Sequence, residues 1–335
     1  LTIVDVSEAA AADKNKKITV EAFVQGIPTD AKVNGVDVGR GAGDVATNTA
    51  LGNNALDANT TGNNNVAIGD EALGINTEGI GNTAVGSASL DANTTGDNNV
   101  AIGVSALTAN TTGNNNIAVG NSSLNANTTA ARNIAIGEQA LEKNNADDNV
   151  AVGYQALEET TSGTDNVAVG SFALDANTTG ISNTAVGHAA LTNSTTANNN
   201  AAFGYQALNA NTTGTTNTAI GSSALAANTT GSSNIAIGTY ALDANTTGGN
   251  NTAIGRSALT NNTDTGNNNT AVGFQALEET TTGTKNTAVG SISLDANTTG
   301  ENNTAVGYDT LGLSTTADSN TALGYEALDT NTTGS

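Results

Sequence analysis

The sequence predicts an all-β protein built as a parallel β-solenoid, a rod of stacked coils. Three observations predict this fold: a 17-residue repeat runs from about residue 48 onward, apolar residues alternate within each repeat with the period of a strand, and a Gly closes each alternating run. One repeat is too short to bury its apolar side alone, whereas stacked repeats let each strand pair with its equivalents. With strands about 4.8 Å apart, about 17 coils would make a rod about 80 Å long.

Composition excludes several classes of protein. The 335 residues contain no Cys and one His, so there is no thiolate metal site, no imidazole cluster and little scope for a Ser-His-Asp relay. We therefore predict no catalytic residue, no cofactor and no bound metal, and a role that is not enzymatic. The formal net charge of −22 disfavours nucleic acid and anionic lipid as partners. No apolar run approaches the roughly 20 residues of a membrane span, so we expect no membrane insertion.

The repeat is marked by the Gly that closes the pattern Asn-x-Ala-x-Gly. One coil is a residue short, near residues 143–147, and one is a residue long, near residues 263–265. The 17 marker residues are Gly52, Gly69, Gly86, Gly103, Gly120, Gly137, Gly153, Gly170, Gly187, Gly204, Gly221, Gly238, Gly255, Gly273, Gly290, Gly307 and Gly324.

Each repeat is predicted to contain a strand, a second short strand and a turn. Residues 65–69 show the period of two that is typical of a strand. A second stretch carries small residues and then a Leu that recurs in every repeat, as in Leu73 and Leu90, and this Leu is expected to point inward. The run Asn-Thr-Thr-Gly at residues 93–96 favours a turn, because Asn and Gly tolerate positive φ.

The Ala two residues before each marker Gly is present in all 17 repeats, from Ala50 to Ala322. Because alternation places it opposite the Val or Ile of the same strand, we predict that Val, Ile and Leu fill the coil. On this interpretation the Ala face is buried against another copy of the chain, so the protein assembles from identical chains. The alternative is that Ala packs in a second corner of its own coil.

The first 47 residues differ from the rest and are predicted to form an N-terminal connector, with the solenoid shaft spanning residues 48–335. The connector contains Pro28, two β-like runs at residues 1–6 and 17–24, and a Gly-rich joint at residues 39–43. It also carries five of the nine basic residues. The shaft keeps 24 acidic against four basic residues, so nearly all the negative charge belongs to the rod.

The run Asn-x-Val-Ala-Ile-Gly at residues 64–69 and 98–103 resembles the head repeat of YadA-type trimeric autotransporter adhesins. That resemblance covers residues 48–335 and implies a left-handed parallel β-roll that assembles as a trimer and binds host surfaces. The 17-residue spacing departs from the shorter unit of the adhesin head, and the printed sequence contains neither the coiled-coil stalk nor the membrane-anchor barrel of that family.

The N-terminal runs at residues 3–6 and 16–20 are similar to connectors that precede repeats in phage tail-fibre and related virion fibre proteins. Together the two resemblances imply a virion fibre shaft involved in host-surface attachment. Residues 1–47 would then join the virion base or other fibre proteins. The alternative is a bacterial trimeric surface adhesin, located at the cell surface.

The two positions after each marker Gly vary most along the rod, and they hold nearly all its aromatic residues. Exposed rings there could stack on the sugars of a host-surface glycan or anchor a protein contact. The alternative is that they cover an apolar edge of the rod, and His188 has no partner imidazole for a metal. The candidate surface-binding residues are Tyr154, Phe172, His188, Tyr205, Tyr240, Phe274, Tyr308 and Tyr325.

Three further recurring features have competing interpretations. Acidic residues directly follow the Leu in several coils, as in Glu142, Glu158, Asp175, Glu278 and Asp295, and are read as a solvated edge that discourages aggregation rather than a divalent-cation site. The Thr-Thr pairs suggest an ice-binding solenoid as a further alternative, although adjacent residues of an extended segment point to opposite faces. Asn-Thr-Thr also matches the glycosylation sequon, but turn chemistry explains its recurrence.

Overall fold

The computed structural model describes residues 30–33, 36–263, 266–332 and 334. Two strands, β1 (Asp30–Val33) and β2 (Val36–Gly39), and a short 3₁₀ helix (Ala42–Asp44) precede the coils. Each coil then contributes one three-residue strand. These strands are β3 (Thr49–Leu51), β4 (Val66–Ile68), β5 (Thr83–Val85), β6 (Val100–Ile102), β7 (Ile117–Val119), β8 (Ile134–Ile136), β9 (Val150–Val152), β10 (Val167–Val169), β11 (Thr184–Val186), β12 (Ala201–Phe203), β13 (Thr218–Ile220), β14 (Ile235–Ile237), β15 (Thr252–Ile254), β16 (Thr270–Val272), β17 (Thr287–Val289), β18 (Thr304–Val306) and β19 (Thr321–Leu323).

The predicted parallel β-solenoid with 17-residue coils is confirmed. Strands β3 to β19 form one continuous parallel sheet in which each strand pairs with the strand of the next coil. The register is the same throughout, so that Ala67 pairs with Ala84 and Ala288 pairs with Ala305. Sixteen such steps at about 4.8 Å give a rod about 77 Å long.

The interior of each coil is built from two Ala files and one Leu file. The central Ala of each strand is buried from β3 to β19. A second small residue, usually Ala, lies directly before the Leu and is also buried from coil to coil, as at Ala72 and Ala140. The predicted inward orientation of Leu is confirmed from Leu56 to Leu311, whereas Leu328 of the last coil is exposed.

The predicted Ala interface between chains is wrong, and so is the predicted placement of Val and Ile inside the coil. The strands show the opposite arrangement: Ala101 is fully buried within its own chain, whereas Val100 is half-buried and Ile102 is exposed. A three-residue strand turns only its central side chain inward, and the space opposite the Leu file accepts a methyl group there. The alternative in which Ala packs within its own coil is therefore the correct one.

The predicted second short strand is also wrong, because the segment after each strand forms a turn with left-handed residues. In the coil that begins at Asn65, Glu71 has φ 57° and Leu73 has φ 49°. In this segment residues with positive φ alternate with residues of negative φ, so successive backbone groups point in opposite directions along the rod. The Leu73 N–H donates to Ser89 O of the next coil at 3.0 Å, and the Glu71 N–H donates to Asn53 O of the preceding coil at 2.9 Å. The coils thus remain hydrogen-bonded outside the sheet.

The Gly that ends each strand is required for two reasons. Gly187 has φ 136°, a conformation that L side chains rarely adopt. A Cβ added at this position would lie 2.4 Å from the carbonyl oxygen of Gly204 in the next coil. The close stacking of the coils and the turn that follows each strand therefore both depend on this residue.

Two files of buried side chains, mostly Asn, join successive coils. The Asn directly before each strand forms the first file: the Asn82 N–H donates to Asn65 Oδ1 at 2.8 Å, and Asn65 Nδ2 donates to Gly79 O at 2.8 Å. The second file begins the Asn-Thr-Thr turn, where Asn93 Nδ2 donates to Asn76 Oδ1 at 2.8 Å. Most of these amides bond to buried backbone or amide groups, which is the requirement for burying them, although a few oxygens of the second file, such as Asn177 Oδ1, have no partner.

The short and long coils leave the strand register unchanged. Between Ile134 and Val150 the spacing falls to 16 residues, and between Thr252 and Thr270 it rises to 18, yet both pairs are in register. Arg132 contacts Asp148 at 2.6 Å beside the short coil. The strand register therefore does not require a strict spacing of 17 residues.

The connector meets the first coil through β2, which pairs antiparallel with β3. Gly41 lies against the first Leu, since an added Cβ would lie 2.4 Å from Leu56 Cβ, and the Ala42 N–H donates to Leu56 O at 2.9 Å. The predicted Gly-rich joint therefore packs on the end of the solenoid. The predicted β-like runs at residues 1–6 and 17–24 lie outside the described residues.

Candidate interaction surfaces

The outer strand face consists of the first and third side chains of β3 to β19. These positions hold only Thr, Val, Ile, Leu, Ala and Phe, so no charged residue lies on this face. Several of its large apolar side chains are exposed, including Ile136, Phe203 and Ile254. The face therefore consists of two files of side chains that run along the whole sheet.

Sequence reasoning missed this surface because it assigned Val and Ile to the interior. One signal was available, since Thr occupies the first strand position in nine of the 17 coils, as in Thr184 and Thr304. A Thr hydroxyl buried in an apolar column would need a hydrogen-bond partner. Exchange of Thr with Val and Ile is therefore more typical of a surface position than the uniform Ala beside it.

The eight candidate surface-binding residues lie in the turns that follow the strands, beyond the outer strand face. Seven of them are exposed, and Phe172 is half-buried. All eight belong to coils from β9 onward. The equivalent first positions of the six preceding coils hold Asn53, Asp70, Ser87, Val104, Asn121 and Glu138.

Four of these residues form a contiguous row, the aromatic strip, consisting of Tyr154, Phe172, His188 and Tyr205. Tyr154 and Phe172 meet edge to face with ring centroids 5.3 Å apart, and Phe172 and His188 meet in the same way at 5.8 Å. His188 and Tyr205 are stacked at 5.6 Å. These are the distances and orientations of favourable aromatic pairs.

The remaining candidates are distributed along the C-terminal coils. Tyr308 and Tyr325 stack with centroids 5.4 Å apart, and the Arg256 guanidinium lies 6.0 Å from the ring centroid of Phe274. Tyr240 is exposed and belongs to none of the ring pairs in the described part of the chain. The structure thus assembles one row of four rings, one pair and two separate positions.

Three of the acidic residues that directly follow a Leu lie in successive coils and are half-buried: Glu142, Glu158 and Asp175. Burial raises the pKa of Glu158, and the nearby Asp175 and Glu142 carboxylates raise it further. Burial likewise raises the pKa of Asp175 and of Asp295. Within the described residues no group of three His, Cys, Asp or Glu side chains is placed to hold a metal ion.

The two residues of each Thr pair differ in their exposure to solvent. Thr94 is half-buried and its hydroxyl donates to Thr111 O of the next coil at 3.0 Å, whereas Thr95 is exposed. The outward hydroxyls therefore form a single file along the rod. The sequon asparagines are buried, as at Asn93, and their amide nitrogens donate to neighbouring coils, in agreement with a turn role.

No family model and no curated protein matches this chain. In the part of the chain that the structure describes, no helix is long and apolar enough to cross a membrane. The arguments about function therefore depend on the geometry of the rod and its surfaces.

Proposed function

We propose that this chain is the non-enzymatic shaft of a homotrimeric virion fibre, of the phage tail type, which takes part in attachment to the host surface. The observation that carries the proposal is the single sheet of in-register strands, whose outer strand face is uncharged along its whole length and consists mainly of Val, Ile and Thr. Such a rod supplies length and stiffness. Residues 1–47 would join it to the virion base or to other fibre proteins.

Assembly of identical chains follows from the area of the outer strand face. At about 77 Å by about 10 Å the face covers roughly 800 Å². The largest apolar patch on a typical monomer is about 300–600 Å², and a standard interface buries about 800 Å² per partner. When identical chains pack through this face, the Val and Ile side chains of each copy meet along the full length of the rod. The resemblance of residues 64–69 to YadA-type repeats supports three copies rather than two.

Mass measurement in solution tests the assembly. Light scattering of the full chain should give three times the 32.9 kDa chain mass at micromolar concentration. Two Lys residues placed on the outer strand face, Val152→Lys with Val186→Lys, should reduce the mass to that of one chain or produce aggregates. Two Lys residues on the exposed Thr file, Thr179→Lys with Thr213→Lys, add the same charge and should leave the trimer intact.

A monomeric wild-type chain with the circular dichroism of a β-protein would refute the proposed interface. Location is tested separately by fractionation with an antibody against the repeats. Recovery with purified virions supports the fibre. Recovery with the bacterial envelope in the absence of virions would instead support the surface adhesin and refute the virion assignment.

A further inference from the structure

The aromatic strip covers four neighbouring coils, and it ends on both sides at a coil whose equivalent residue is not aromatic. In the coil before Tyr154 the equivalent position holds Glu138, and in the coil after Tyr205 it holds Ser222. Ser also occupies this position in other coils, which shows that the fold does not need a ring there. Four neighbouring coils with ring side chains are therefore a local feature of the rod rather than part of the repeat.

The backbone holds the strip in place before any ligand arrives. The Phe172 N–H donates to Tyr154 O at 2.9 Å, and the Gln206 N–H donates to His188 O at 3.0 Å. The rings also pack against one another, with centroids of successive rings 5.3 to 5.8 Å apart, and this packing restricts their rotamers. A surface that is ordered in advance loses less conformational entropy when it binds.

The strip presents apolar ring surface together with polar groups. Tyr154 is 42% exposed and Tyr205 is 54% exposed, and the half-buried amides of Gln155 and Gln206 directly follow them in the chain. Tyr rings combine an apolar body with a hydroxyl that forms hydrogen bonds. This combination matches a sugar, whose C–H faces stack on rings and whose hydroxyls bond to amides and phenols.

The shape of the strip and the charge of the rod further restrict the kind of partner that fits. Anchors of protein partners concentrate in well-packed pockets, whereas these rings form a straight row that suits an extended polymer. The shaft carries 24 acidic against four basic residues, and Glu138 and Glu142 lie in the coil before the strip. An anionic glycan would be repelled by this charge, so of neutral and anionic glycans the neutral ones fit.

We propose that the strip of Tyr154, Phe172, His188 and Tyr205 is a docking site for a neutral, extended glycan, which would make the side of the rod itself a contact surface. The proposal does not depend on whether the rod belongs to a virion or to a cell. It also differs from the assembly interface, because the strip lies in the turns rather than on the outer strand face.

Affinity electrophoresis of the full chain tests the proposal. Native gels would contain soluble neutral polysaccharides (a β-glucan, a xyloglucan or a galactomannan), an anionic polygalacturonate, or no polymer. We expect retardation by at least one neutral polymer and none by the polygalacturonate. Tyr154→Ser with Tyr205→Ser should weaken this binding about tenfold or more, because two rings are removed. The matched control Tyr240→Ser removes an exposed ring outside the strip and should bind like wild type.

Several outcomes would overturn the proposal: no retardation of wild type by any neutral polymer, equal losses in Tyr240→Ser and the double variant, or binding only to a cationic polylysine probe. If the double variant unfolds, saturation-transfer NMR on the wild type replaces it. Transfer between polymer protons and Tyr ring protons is then expected, and its absence refutes the site. Light scattering of the same samples shows whether the trimer is intact, so a failure of glycan binding is distinguishable from a failure of assembly.

Discussion

Replacement of a single strand-end glycine tests how the coils stack. The change is Gly187→Ala, which adds one methyl group at the end of β11 in the middle of the rod. Gly187 has φ 136°, and the new Cβ would lie 2.4 Å from Gly204 O and 2.7 Å from Gly204 C. Both atoms belong to backbone in the next coil, so neither can rotate away.

Two free-energy costs contribute to the loss of local stability that we expect in Gly187→Ala. A backbone conformation of this kind costs about 1–3 kcal/mol for a residue other than Gly. Forcing a methyl group into a packed contact costs about 1–3 kcal/mol more. Replacing Gly with Ala also restricts the unfolded chain, which offsets about 0.4–1 kcal/mol. We therefore expect the local free energy of opening to fall by about 3 kcal/mol.

A turn glycine of the same region supplies the matched control, Gly214→Ala. An added Cβ there would also lie close to backbone, 2.3 Å from Gly231 O, but φ at Gly214 is not in the left-handed region. The chain itself shows that this position accepts a methyl group, because equivalent coils hold Ala130, Ala146 and Ala197. We expect a change within about 1 kcal/mol.

Hydrogen exchange followed by mass spectrometry is the suitable assay, because a solenoid can open locally. Gly187→Ala should speed the exchange of peptides covering β10 to β12 about a hundredfold, while peptides covering β4 to β6 keep their wild-type rates. Gly214→Ala should leave both regions nearly unchanged. Equal protection in the two variants would show that the backbone requirement at the strand end has been misread.

Three other changes test the interior and the charged groups. Leu191 is buried with φ 53°, so Leu191→Ile should destabilise the rod about 1–2 kcal/mol more than Leu191→Met in chemical denaturation, because a β-branched residue fits that conformation poorly; equal losses would contradict this. Asn177 Oδ1 is buried without a hydrogen-bond partner opposite Ser194, so Ser194→Asn should restore the amide file and raise the free energy of unfolding by about 1 kcal/mol, and a loss of stability would argue against it. The pKa of Asp175 is raised by burial, so this carboxyl binds its proton more tightly when folded; its contribution is present below the unfolded value of 3.8 and disappears as pH rises through the higher folded value. Thermal stability should therefore increase on acidification toward pH 4, and Asp175→Asn should show a smaller increase; an identical pH profile would exclude this carboxyl as a cause.

Much of the architecture follows from local pattern. The recurrence of Leu and of the marker Gly predicts the coil length, the number of coils and the inward Leu, because stacking requires equivalent residues to lie above one another. The exposure of most of the candidate aromatic residues was also predictable, since their positions vary while the rest of the repeat does not. Which rings touch was not predictable, because Phe172 lies one residue later in its coil than Tyr154 and still joins the row.

The sequence by itself determined that these residues form a β-solenoid with 17-residue coils, since only that repeat pairs every strand with its equivalent. Only the tertiary structure decided which side of the strand is inside. Alternation distinguishes two faces without orienting them, and hydrophobicity alone favours burying Val and Ile rather than Ala. The width of the coil overrides that preference: beside the Leu file, the second Ala file and the two polar files, the centre of the strand has room only for a methyl group, so Ala turns inward and the larger apolar side chains face outward.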